Sequence, residues 1–251
     1  MISAERRVYI MKCLQKKSIV SLKEIASELD VSEITVRRDF EKLENAGKLK
    51  RIQGGAALEE CLDNLDNVEI SMKEKISLYS QEKRLVAKHA AKLVKEGDCV
   101  FLDSGTSIAP TIDYLASKKI TIVTCNQLVL RKLTNPVAVI HVIGGVFLPH
   151  YSVNVGPEAQ ETLSRFRFDV TLLGCVGLET QKNISYDTAM DTLHLKEIAF
   201  QNSSKNVLLI DSSKFGKSSY LKFKELDAFD KIICNKPDIE IADKRIEFVS
   251  D

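Results

Sequence analysis

The spacing of apolar residues changes along the chain and divides it into two parts. Over residues 4–16, and again after Ser21 and Ser32, apolar side chains recur every three or four positions, which predicts three short amphipathic helices. From about residue 76, short continuous apolar runs alternate with helical segments, a pattern typical of strands buried on both faces of a parallel sheet. The sequence therefore predicts a small helical domain followed by a larger α/β domain.

The boundaries of the second and third helices are marked by specific residues. Ser21 and Glu24 have the spacing of a capping box at the start of the second helix. Ser32 is a suitable N-cap for the third helix, and Gly47 follows its last turn. Because only a tight turn separates the two helices, they indicate a helix-turn-helix, whose second helix enters the major groove of DNA. The basic stretch KLKRIQGGAAL then predicts a hairpin, so residues 1–57 are interpreted as a winged helix-turn-helix.

The distribution of charge supports DNA binding by this region. Residues 1–55 contain twelve Lys or Arg against eight Asp or Glu, whereas the remainder contains 24 against 27. A basic excess at the helix-turn-helix is what attraction to phosphates requires. Arginine can bind a guanine edge with two hydrogen bonds, and threonine can contact a phosphate or a thymine methyl group. The residues predicted to contact DNA are Ser32, Glu33, Thr35, Arg37, Arg38, Lys50 and Arg51.

The rest of the chain is predicted to be a linker and one α/β domain. Residues 58–71 contain five acidic residues and no lysine or arginine, so self-repulsion favours an extended linker, placed at 58–75. Residues 76–251 are predicted to form a mostly parallel, doubly wound sheet. Its predicted strands are residues 99–103, 120–124, 138–143, 170–174, 207–211 and 231–235. Its predicted helices lie near 81–96, 107–117, 126–133, 157–165, 189–201 and 223–227.

Small and polar residues follow five of these predicted strands. Ligands of open α/β sheets bind outside the carboxyl ends of the strands, so these residues are candidates for a binding site. The sharpest motif is Ser104-Gly-Thr-Ser107, which combines backbone N–H groups, hydroxyls and the start of a helix. Lys196 and Lys214 could add positive charge, and together these groups favour an anionic ligand. The alternative is that the motif is only a strand–helix turn with an N-cap.

The remaining composition indicates an intracellular protein without a metal. No apolar run approaches the ~20 residues that a membrane span needs, and charges interrupt the N-terminal segment, which excludes a signal peptide. The six cysteines form no CxxC pair and have no histidine at zinc-binding spacing, so they are interpreted as reduced, mostly buried thiols. We therefore expect a cytoplasmic protein that does not bind a metal, a cofactor or a membrane.

The residues of both parts resemble those of one family, the DeoR family of bacterial transcriptional regulators. The N-terminal matches are Arg6, Ile10, Leu14, Ser32, Thr35 to Phe40, and the wing ending Arg51-Ile-Gln-Gly54-Gly55-Ala56. The C-terminal matches are Gly97-Asp98, Asp103-Ser-Gly-Thr106, Thr124-Cys-Asn126, Gly144-Gly145, Val155-Gly-Pro157, Gly174-Cys-Val-Gly177 and Asp211-Ser-Ser-Lys214-Phe-Gly216. Asn183 stands near a position where the family usually has glycine.

The resemblance implies a repressor whose affinity for operator DNA is altered by a phosphorylated sugar. Its sensor domain would be related in fold to ribose-5-phosphate isomerase, with the phosphate at Ser104–Ser107 and Lys214 assisting. A homodimer or homotetramer is expected, because paired helix-turn-helix units read DNA half-sites. The predicted effector-binding residues are Asp103, Ser104, Gly105, Thr106, Ser107, Thr124, Asn126, Gly144, Gly145, Gly174, Lys196 and Lys214.

Two alternatives remain at the level of the sequence. The first is a sugar-phosphate isomerase fused to a DNA-binding module. That reaction needs a positioned general base, and the segment after the fourth predicted strand of the α/β domain offers only Glu179. The second alternative is a DNA-binding protein whose sensor domain is purely structural. The placement of Ser104–Ser107 and Lys214 favours a ligand-binding domain over both.

Overall fold

The computed structural model describes residues 3–17, 19–52, 55–57, 72–237 and 241–250. The chain divides into two compact units, Met1–Glu69 and Ile70–Asp251. Most of the predicted linker, 58–75, lies outside the described residues. Its last four residues differ from the prediction, because they lie in a helix, Met72–Ser77.

The N-terminal unit contains three helices and a three-stranded antiparallel sheet. Its elements are α1 (Ser3–Lys17), β1 (Ile19–Ser21), α2 (Leu22–Glu28), α3 (Glu33–Asn45), β2 (Lys50–Ile52) and β3 (Gly55–Ala57). Strand β3 lies between β1 and β2 in the sheet. The helices and the hairpin confirm the winged helix-turn-helix that the sequence predicts. Strand β1 was not predicted, because three residues are too few to show a periodic pattern.

Side-chain and glycine caps set the boundaries of α2 and α3. The Ser21 Oγ atom accepts a hydrogen bond from the Glu24 N–H at 3.5 Å, and Ser32 Oγ accepts one from the Thr35 N–H at 3.3 Å. Gly47 has a φ of 65°, a left-handed conformation that glycine adopts without strain and that ends the helix. These contacts confirm the predicted starts of α2 and α3 and the predicted end of α3.

One carboxylate lies inside the core of the N-terminal unit. Asp39 of α3 is only 2% exposed, and it accepts hydrogen bonds from Arg6 Nε at 2.8 Å and from Ser3 Oγ at 3.2 Å. Both donors belong to α1, so the ion pair fixes α3 against α1. The surrounding core consists of Ile10, Leu14, Val20, Leu22, Ile25, Ala26, Val36, Phe40, Leu43, Leu49 and Ala56.

Gly55 is required where the wing meets β1. It pairs with Ser21, and a Cβ atom at this position would lie 2.1 Å from the carbonyl oxygen of Val20. No side chain fits at that distance, so only glycine allows β3 to pack between its two neighbours.

The C-terminal unit is an α/β domain with three sheets. Its helices are α4 (Met72–Ser77), α5 (Ser80–Ala90), α6 (Ile112–Leu115), α7 (Gln127–Leu130), α8 (Pro157–Ser164) and α9 (Met190–Gln201). Its strands are β4 (Cys99–Leu102), β5 (Thr121–Thr124), β6 (Val139–Val142), β7 (Val146–Leu148), β8 (Val153–Val155), β9 (Val170–Leu173), β10 (Gly177–Glu179), β11 (Ile184–Asp187), β12 (Asn206–Ile210), β13 (Leu221–Glu225), β14 (Lys231–Asn235) and β15 (Ile246–Val249). Short 3₁₀ turns occur at Ala91–Leu93, Ala109–Thr111, Ser212–Lys214 and Leu226–Ala228.

The main sheet has seven parallel strands in the order β15-β14-β12-β9-β4-β5-β6. Successive residues of a strand point to opposite faces: Phe101 packs on the side of α8 and α9, whereas Val100 and Leu102 pack on the side of α5 and α6. Helices cover both faces, which confirms the doubly wound α/β fold. The strand order reverses between β4 and β9, the position where such sheets bind ligands.

One predicted helix of this domain is wrong. The segment near 223–227 forms strand β13 followed by a 3₁₀ turn, and β13 pairs with β11 in a small antiparallel sheet. Tertiary pairing decides this segment, because Phe223 is buried while its neighbours Lys222 and Lys224 are more exposed, a strand-like alternation. Strand β15, the hairpin β7–β8 and the sheet β10–β11–β13 were not predicted. Among the described residues, no helix combines the length and apolar character needed to cross a bilayer.

Candidate functional site

Helix α3 exposes one polar face to solvent. Its residues Val36, Asp39, Phe40 and Leu43 are buried, whereas Glu33, Arg37 and Arg38 are exposed. Within the described part of the chain, neither Arg37 nor Arg38 has an ion-pair partner. The two arginines predicted to contact DNA are therefore free to do so.

Two other predicted DNA-contacting residues are partly committed to the helix cap. The Ser32 and Thr35 hydroxyls lie 2.9 Å apart and share a hydrogen bond, in addition to the backbone bond that Ser32 accepts. Their position at the start of α3 leaves them beside any DNA that the helix contacts. Their polar atoms nevertheless serve first to hold the helix start.

The wing is attached to α3 through one glutamate. Arg51 donates two hydrogen bonds to Glu44, from its backbone N–H at 2.9 Å and from its Nε at 2.5 Å. Glu44 lies seven residues after Arg37, about two helical turns, and so on the same flank of α3. The backbone of Lys50 lies in β2, and its side chain is outside the described atoms.

A buried lysine joins three strand ends of the sensor unit. Lys196 of α9 is 4% exposed, and its Nζ atom lies 3.3 Å from Asp103 Oδ2 and 2.5 Å from Asp187 Oδ2. It also donates to the carbonyl oxygen of Gly174 at 2.8 Å. Asp103 follows β4, Gly174 follows β9 and Asp187 ends β11, so this one ammonium holds three segments together. Three of these four residues are among the effector-binding residues predicted from the sequence, and Asp187 is not.

The two carboxylates around Lys196 share a single positive charge. Burial raises the pKa of Asp103, although Lys196 opposes the shift, and the nearby Asp187 raises it further. Burial alone would lower the pKa of Lys196, but the attraction of both carboxylates outweighs it and raises that pKa above the usual value. The lysine is therefore protonated near neutral pH, and removing it would leave two buried carboxylates without a counter-charge.

Two predicted effector-binding residues brace the loop after β4. Asn126 is fully buried, and its amide nitrogen donates to the carbonyl oxygens of Asp103 at 2.9 Å and Gly105 at 3.1 Å. Thr124 is also buried and donates to the carbonyl oxygen of Leu102 at 2.7 Å. Their polar side-chain atoms therefore hold main-chain groups, and they fix the shape of the loop.

The loop itself presents donors that the protein does not use. Asp103 Oδ1 accepts the Ser104 N–H at 2.6 Å and the Ser104 hydroxyl at 3.2 Å. By contrast, the N–H groups of Gly105, Thr106 and Ser107 find no acceptor within the described residues. Gly105 has a φ of 103°, which a residue with a side chain rarely adopts. Adjacent N–H groups in such a turn can bind an anion.

Four lysines, which we call the lysine cluster, lie close to one another: Lys75, Lys83, Lys214 and Lys217. Lys83 of α5 is 4% exposed, and its Nζ donates to the carbonyl oxygen of Lys75 at 2.6 Å. Burial lowers the pKa of Lys83 to about 8; the nearby Lys214 lowers it too, and Asp211 opposes the shift. Burial, with Lys214 and Lys217, likewise lowers the pKa of Lys75. The sequence predicted a role for Lys214 alone.

A cavity of about 410 Å³ lies beside the loop after β4, and Lys83 is the member of the lysine cluster that lines it. Lys83 and Thr106 both line it, together with the hydroxyl-bearing residues Ser77 and Ser80. The basic residues Arg84, Arg131 and Lys132 also line it, and no acidic residue of the described ranges does. Lys132 is paired with Asp113 at 2.5 Å outside the lining. The basic and hydroxyl-bearing part of the lining is therefore suited to an anion, and the apolar residues Ile76, Ala109, Pro110 and Leu128 line the rest of the cavity.

Two other features noted in the sequence have structural roles. Gly145 has a φ of 117°, and a Cβ atom there would lie 2.4 Å from the carbonyl oxygen of Val155, so the adjacent Gly144-Gly145 pair shapes the turn before the β7–β8 hairpin. Asn183 has a φ of 54°, a conformation in which glycine or asparagine is favoured, and it donates to Asp227 at 2.8 Å. Neither feature places a group in the cavity.

The cysteines and acidic residues of the described ranges form no metal site. No group of three or more His, Cys, Asp and Glu side chains is arranged to hold a metal there. The five cysteines within those ranges are free thiols, and Cys61 lies outside them. Burial raises the pKa of the Cys175 thiol, which follows Gly174, to about 12. It is therefore protonated near neutral pH.

Both units match known sequence families. Residues 6–61 match the DeoR-like helix-turn-helix domain, and residues 79–236 match the DeoR C terminal sensor domain. A DNA-reading helix joined to a sensor unit defines a transcriptional regulator that binds DNA. The chain belongs to the DeoR family, which confirms the resemblance seen in the sequence.

Curated relatives of nearly the same length are regulators as well. A "Lactose phosphotransferase system repressor" of Staphylococcus epidermidis is 30% identical over 96% of this chain and 95% of its own. A protein of that name from Staphylococcus aureus is 32% identical over 94% and 93%. An "Uncharacterized HTH-type transcriptional regulator FruR" of Bacillus subtilis is 32% identical over 89% and 87%.

Solved structures resemble the chain only weakly. Ribose 5-phosphate isomerase A of Methanocaldococcus jannaschii is 19% identical, covers 55% of both chains and gives a TM-score of 0.40. The sorbitol operon regulator SorC of Klebsiella pneumoniae is 12% identical, and the match covers 83% of this chain and 89% of SorC with a TM-score of 0.34. At such TM-scores neither likeness bears on function.

Proposed function

We propose that this regulator represses a sugar-metabolism operon and that a phosphorylated sugar, bound at the strand ends of the sensor unit, controls its affinity for the operator. The relatives named as lactose phosphotransferase system repressors support the class of operon. The family supports the coupling of a DNA-binding unit to a sensor. The remaining support comes from the chemistry of the cavity.

The observation that carries the proposal is a cavity lined both by Lys83 of the lysine cluster and by Thr106, which lies in a loop whose N–H groups have no acceptor among the described residues. Burial is the main cause of the lowered pKa values of Lys83 and Lys75, and repulsion from the nearby Lys214 adds to it. A phosphate dianion in the cavity would relieve the repulsion. The Gly105–Ser107 N–H groups and the Thr106 hydroxyl would supply its hydrogen bonds, and Lys83 and Lys214 its charge compensation.

The site residues divide into two groups under this proposal. The first group would contact the phosphate and consists of Gly105, Thr106, Ser107, Lys83 and Lys214. The second group would hold the loop in the conformation that binds the ligand and consists of Asp103, Thr124, Asn126, Gly174 and Lys196. A cavity of about 410 Å³ is within the range of small-molecule sites, roughly 300–1,000 Å³, and leaves room for a sugar beyond the phosphate.

We further propose that the sensor unit binds its ligand without converting it. Glu179 is the acid that the sequence offered as a general base, and it accepts a hydrogen bond from the Tyr186 hydroxyl at 2.8 Å and pairs with Lys182 at 2.6 Å. The hydrogen bond from Lys182, with that of Tyr186, lowers the pKa of Glu179. A general base at neutral pH needs the opposite shift, so these contacts disfavour the isomerase alternative.

Control of DNA binding would follow from unequal affinity of the ligand for two arrangements of the protein. A homodimer or homotetramer in the cytoplasm is expected, since helix-turn-helix proteins read two half-sites about one helical turn apart. Residues Arg37, Arg38, Thr35 and Arg51 would contact the operator.

A thermal-shift panel of triose, pentose and hexose phosphates would test the proposal. A ligand present at about 100 times its Kd should raise the Tm by roughly 5–10 °C. Lys83→Met and Thr106→Ala should abolish the shift, whereas Lys88→Met, an exposed lysine on the same helix, should keep it. The absence of any hit, or a hit that survives Lys83→Met and Thr106→Ala, would contradict the phosphate site.

The same ligand should change the affinity of the full chain for an operator selected from random duplex DNA. If the two binding events were independent in a titration, control by the sugar phosphate would be wrong even though the site is right.

A further inference from the structure

Helix α3 exposes one large apolar side chain. Ile34 lies in its first turn and is 66% exposed. In the described part of the N-terminal unit, only Val8 of α1, at 56%, is a comparably exposed large hydrophobic residue. Single exposed apolar residues are common on protein surfaces, so the position of Ile34 decides whether it has a role.

Ile34 lies at the centre of the solvent-facing side of α3. At roughly 100° per residue, the buried residues Val36, Phe40 and Leu43 define one side of the helix. Ile34 and Arg38 then lie on the opposite side, one turn apart. An isoleucine at this position belongs to the surface that α3 would present to the major groove.

Folding gives no reason for this residue. Ile34 is not part of the core of the N-terminal unit. A β-branched side chain in an exposed helix is slightly less favourable than alanine, because it loses rotamer freedom. The neighbouring hydroxyls of Ser32 and Thr35 are held by each other, so the groups free to meet DNA in the first turns of the described helix are Glu33, Ile34 and the arginines.

We propose that Ile34 contacts the 5-methyl group of an operator thymine, beside the base that Arg38 reads. The thymine methyl is the apolar group that base pairs present in the major groove, and it suits an aliphatic partner. Arg37 and Arg38 supply the positive charge that brings this face to DNA. The inference rests on the proposed DNA-binding function and adds to it a determinant of sequence specificity.

Thymine-to-deoxyuridine replacement tests the contact one atom group at a time. A duplex would first be selected from random DNA with the full chain, and each thymine would then be replaced singly by deoxyuridine, which removes only the methyl group. Wild type should lose about fourfold in affinity at one thymine of each half-site, the value of one buried methyl group. Ile34→Ala should bind the unmodified duplex several-fold more weakly and lose nothing further at that thymine.

The controls separate this contact from general effects. Val8→Ala should keep the wild-type response to deoxyuridine, and Ile34→Val should keep most of it. The melting temperature of Ile34→Ala should equal that of wild type or lie slightly above it, because the side chain is exposed and alanine is the better helix former. If Ile34→Ala responds to deoxyuridine as wild type does, or if no thymine methyl matters to wild type, the inference is wrong. Failure to enrich any sequence with wild type would instead overturn the DNA-binding function itself.

Discussion

The charged functional residues are exposed to solvent in the N-terminal unit and buried in the sensor unit. In the N-terminal unit, Arg37 and Arg38 stand exposed on α3. In the sensor unit, Lys196, Asp103 and Asp187 are each less than 5% exposed and paired with one another. DNA carries a dense negative charge, so the arginines that bind it can remain exposed to water in the free protein. A small ligand needs a preformed site, and buried ion pairs hold that site in shape.

The difference predicts which substitutions act on stability and which on binding. Exposed residues of α3 should change affinity for DNA and leave unfolding unaltered. Buried residues of the sensor unit should change unfolding first and ligand affinity as a consequence.

The largest effect is expected at Lys196. Lys196→Met leaves two buried carboxylates without a counter-charge, and the free energy of unfolding of the sensor unit should fall by about 3–5 kcal/mol. Chemical denaturation measures it. Lys224→Met, which removes a partly exposed partner of Glu197, is the matched control and should cost no more than about 1 kcal/mol.

The loss of unfolding free energy caused by Lys196→Met should become smaller as the pH falls from 7 towards 5. Removing the ammonium raises the pKa of Asp103 beyond the rise that burial already causes. The folded state then binds a proton at a pH where the unfolded chain does not, so protonation favours folding. An unchanged difference between variant and wild type at the two pH values would argue against an uncompensated Asp103.

The next largest effect is expected at Arg38. Arg38 lies at the centre of the exposed face of α3, whereas Arg37 lies on the flank shared with Glu44 and the wing. Arg38→Ala should therefore weaken operator binding by about 1–3 kcal/mol and relax base preference at one position. Arg37→Ala should weaken binding to all sequences, and the slope of the logarithm of the binding constant against the logarithm of the salt concentration should decrease in magnitude by about 1.

Binding titrations at several salt concentrations, on operator and on unrelated duplexes, distinguish the two arginines. If Arg38→Ala weakened binding equally on all duplexes and Arg37→Ala weakened it mainly on the operator, the roles of the two arginines would be reversed. Ligand binding by the sensor unit should be unaffected in both variants.

A smaller effect is expected from the titration of Lys83. Its pKa of about 8 means that free protein loses this charge above pH 8, while a bound phosphate would keep it protonated. Affinity for the sugar phosphate should thus fall about tenfold between pH 7 and 9, a range in which the phosphate itself, with its second pKa near 6, stays a dianion. Calorimetry should show a flat profile for Lys83→Met if any binding remains; a tenfold fall in that variant would exclude Lys83 as the cause.

The smallest effect is expected at the junction of helix and wing. Glu44→Gln weakens a partly exposed ion pair, so unfolding should change by about 0.2–1 kcal/mol. Arg51 is then released and a negative charge is removed from the DNA-facing unit, which should tighten non-specific binding at low salt. No change in the salt dependence of DNA binding would indicate that Arg51 stays away from phosphates.

The sequence predicts well those features that depend on neighbours in the chain. The caps at Ser21 and Ser32, the glycine end of α3 and the exposed arginine pair all depend on residues within a few positions, and all were found where expected. The six main strands were also found, because a run that is apolar on both faces has few other uses.

Features that depend on distant segments could not be read from the sequence. Lys83 looks like an ordinary surface lysine of an amphipathic helix, and its burial depends on the Lys75 carbonyl and on the end of β12. Thr124 and Asn126 were expected to face the ligand. Which acceptor a buried amide reaches depends on the loop beside it, and here that acceptor is main chain.

The ion pair between Asp39 and Arg6 has a practical consequence for redesign. It ties the inner side of α3 to α1 through a residue that sits inside the arginine motif itself. The outer side, with Ile34, Arg37 and Arg38, can therefore be exchanged for that of a relative as a short cassette. The anchor residues Asp39 and Arg6 must stay together in any such graft, so that a new operator preference is installed on an unchanged scaffold.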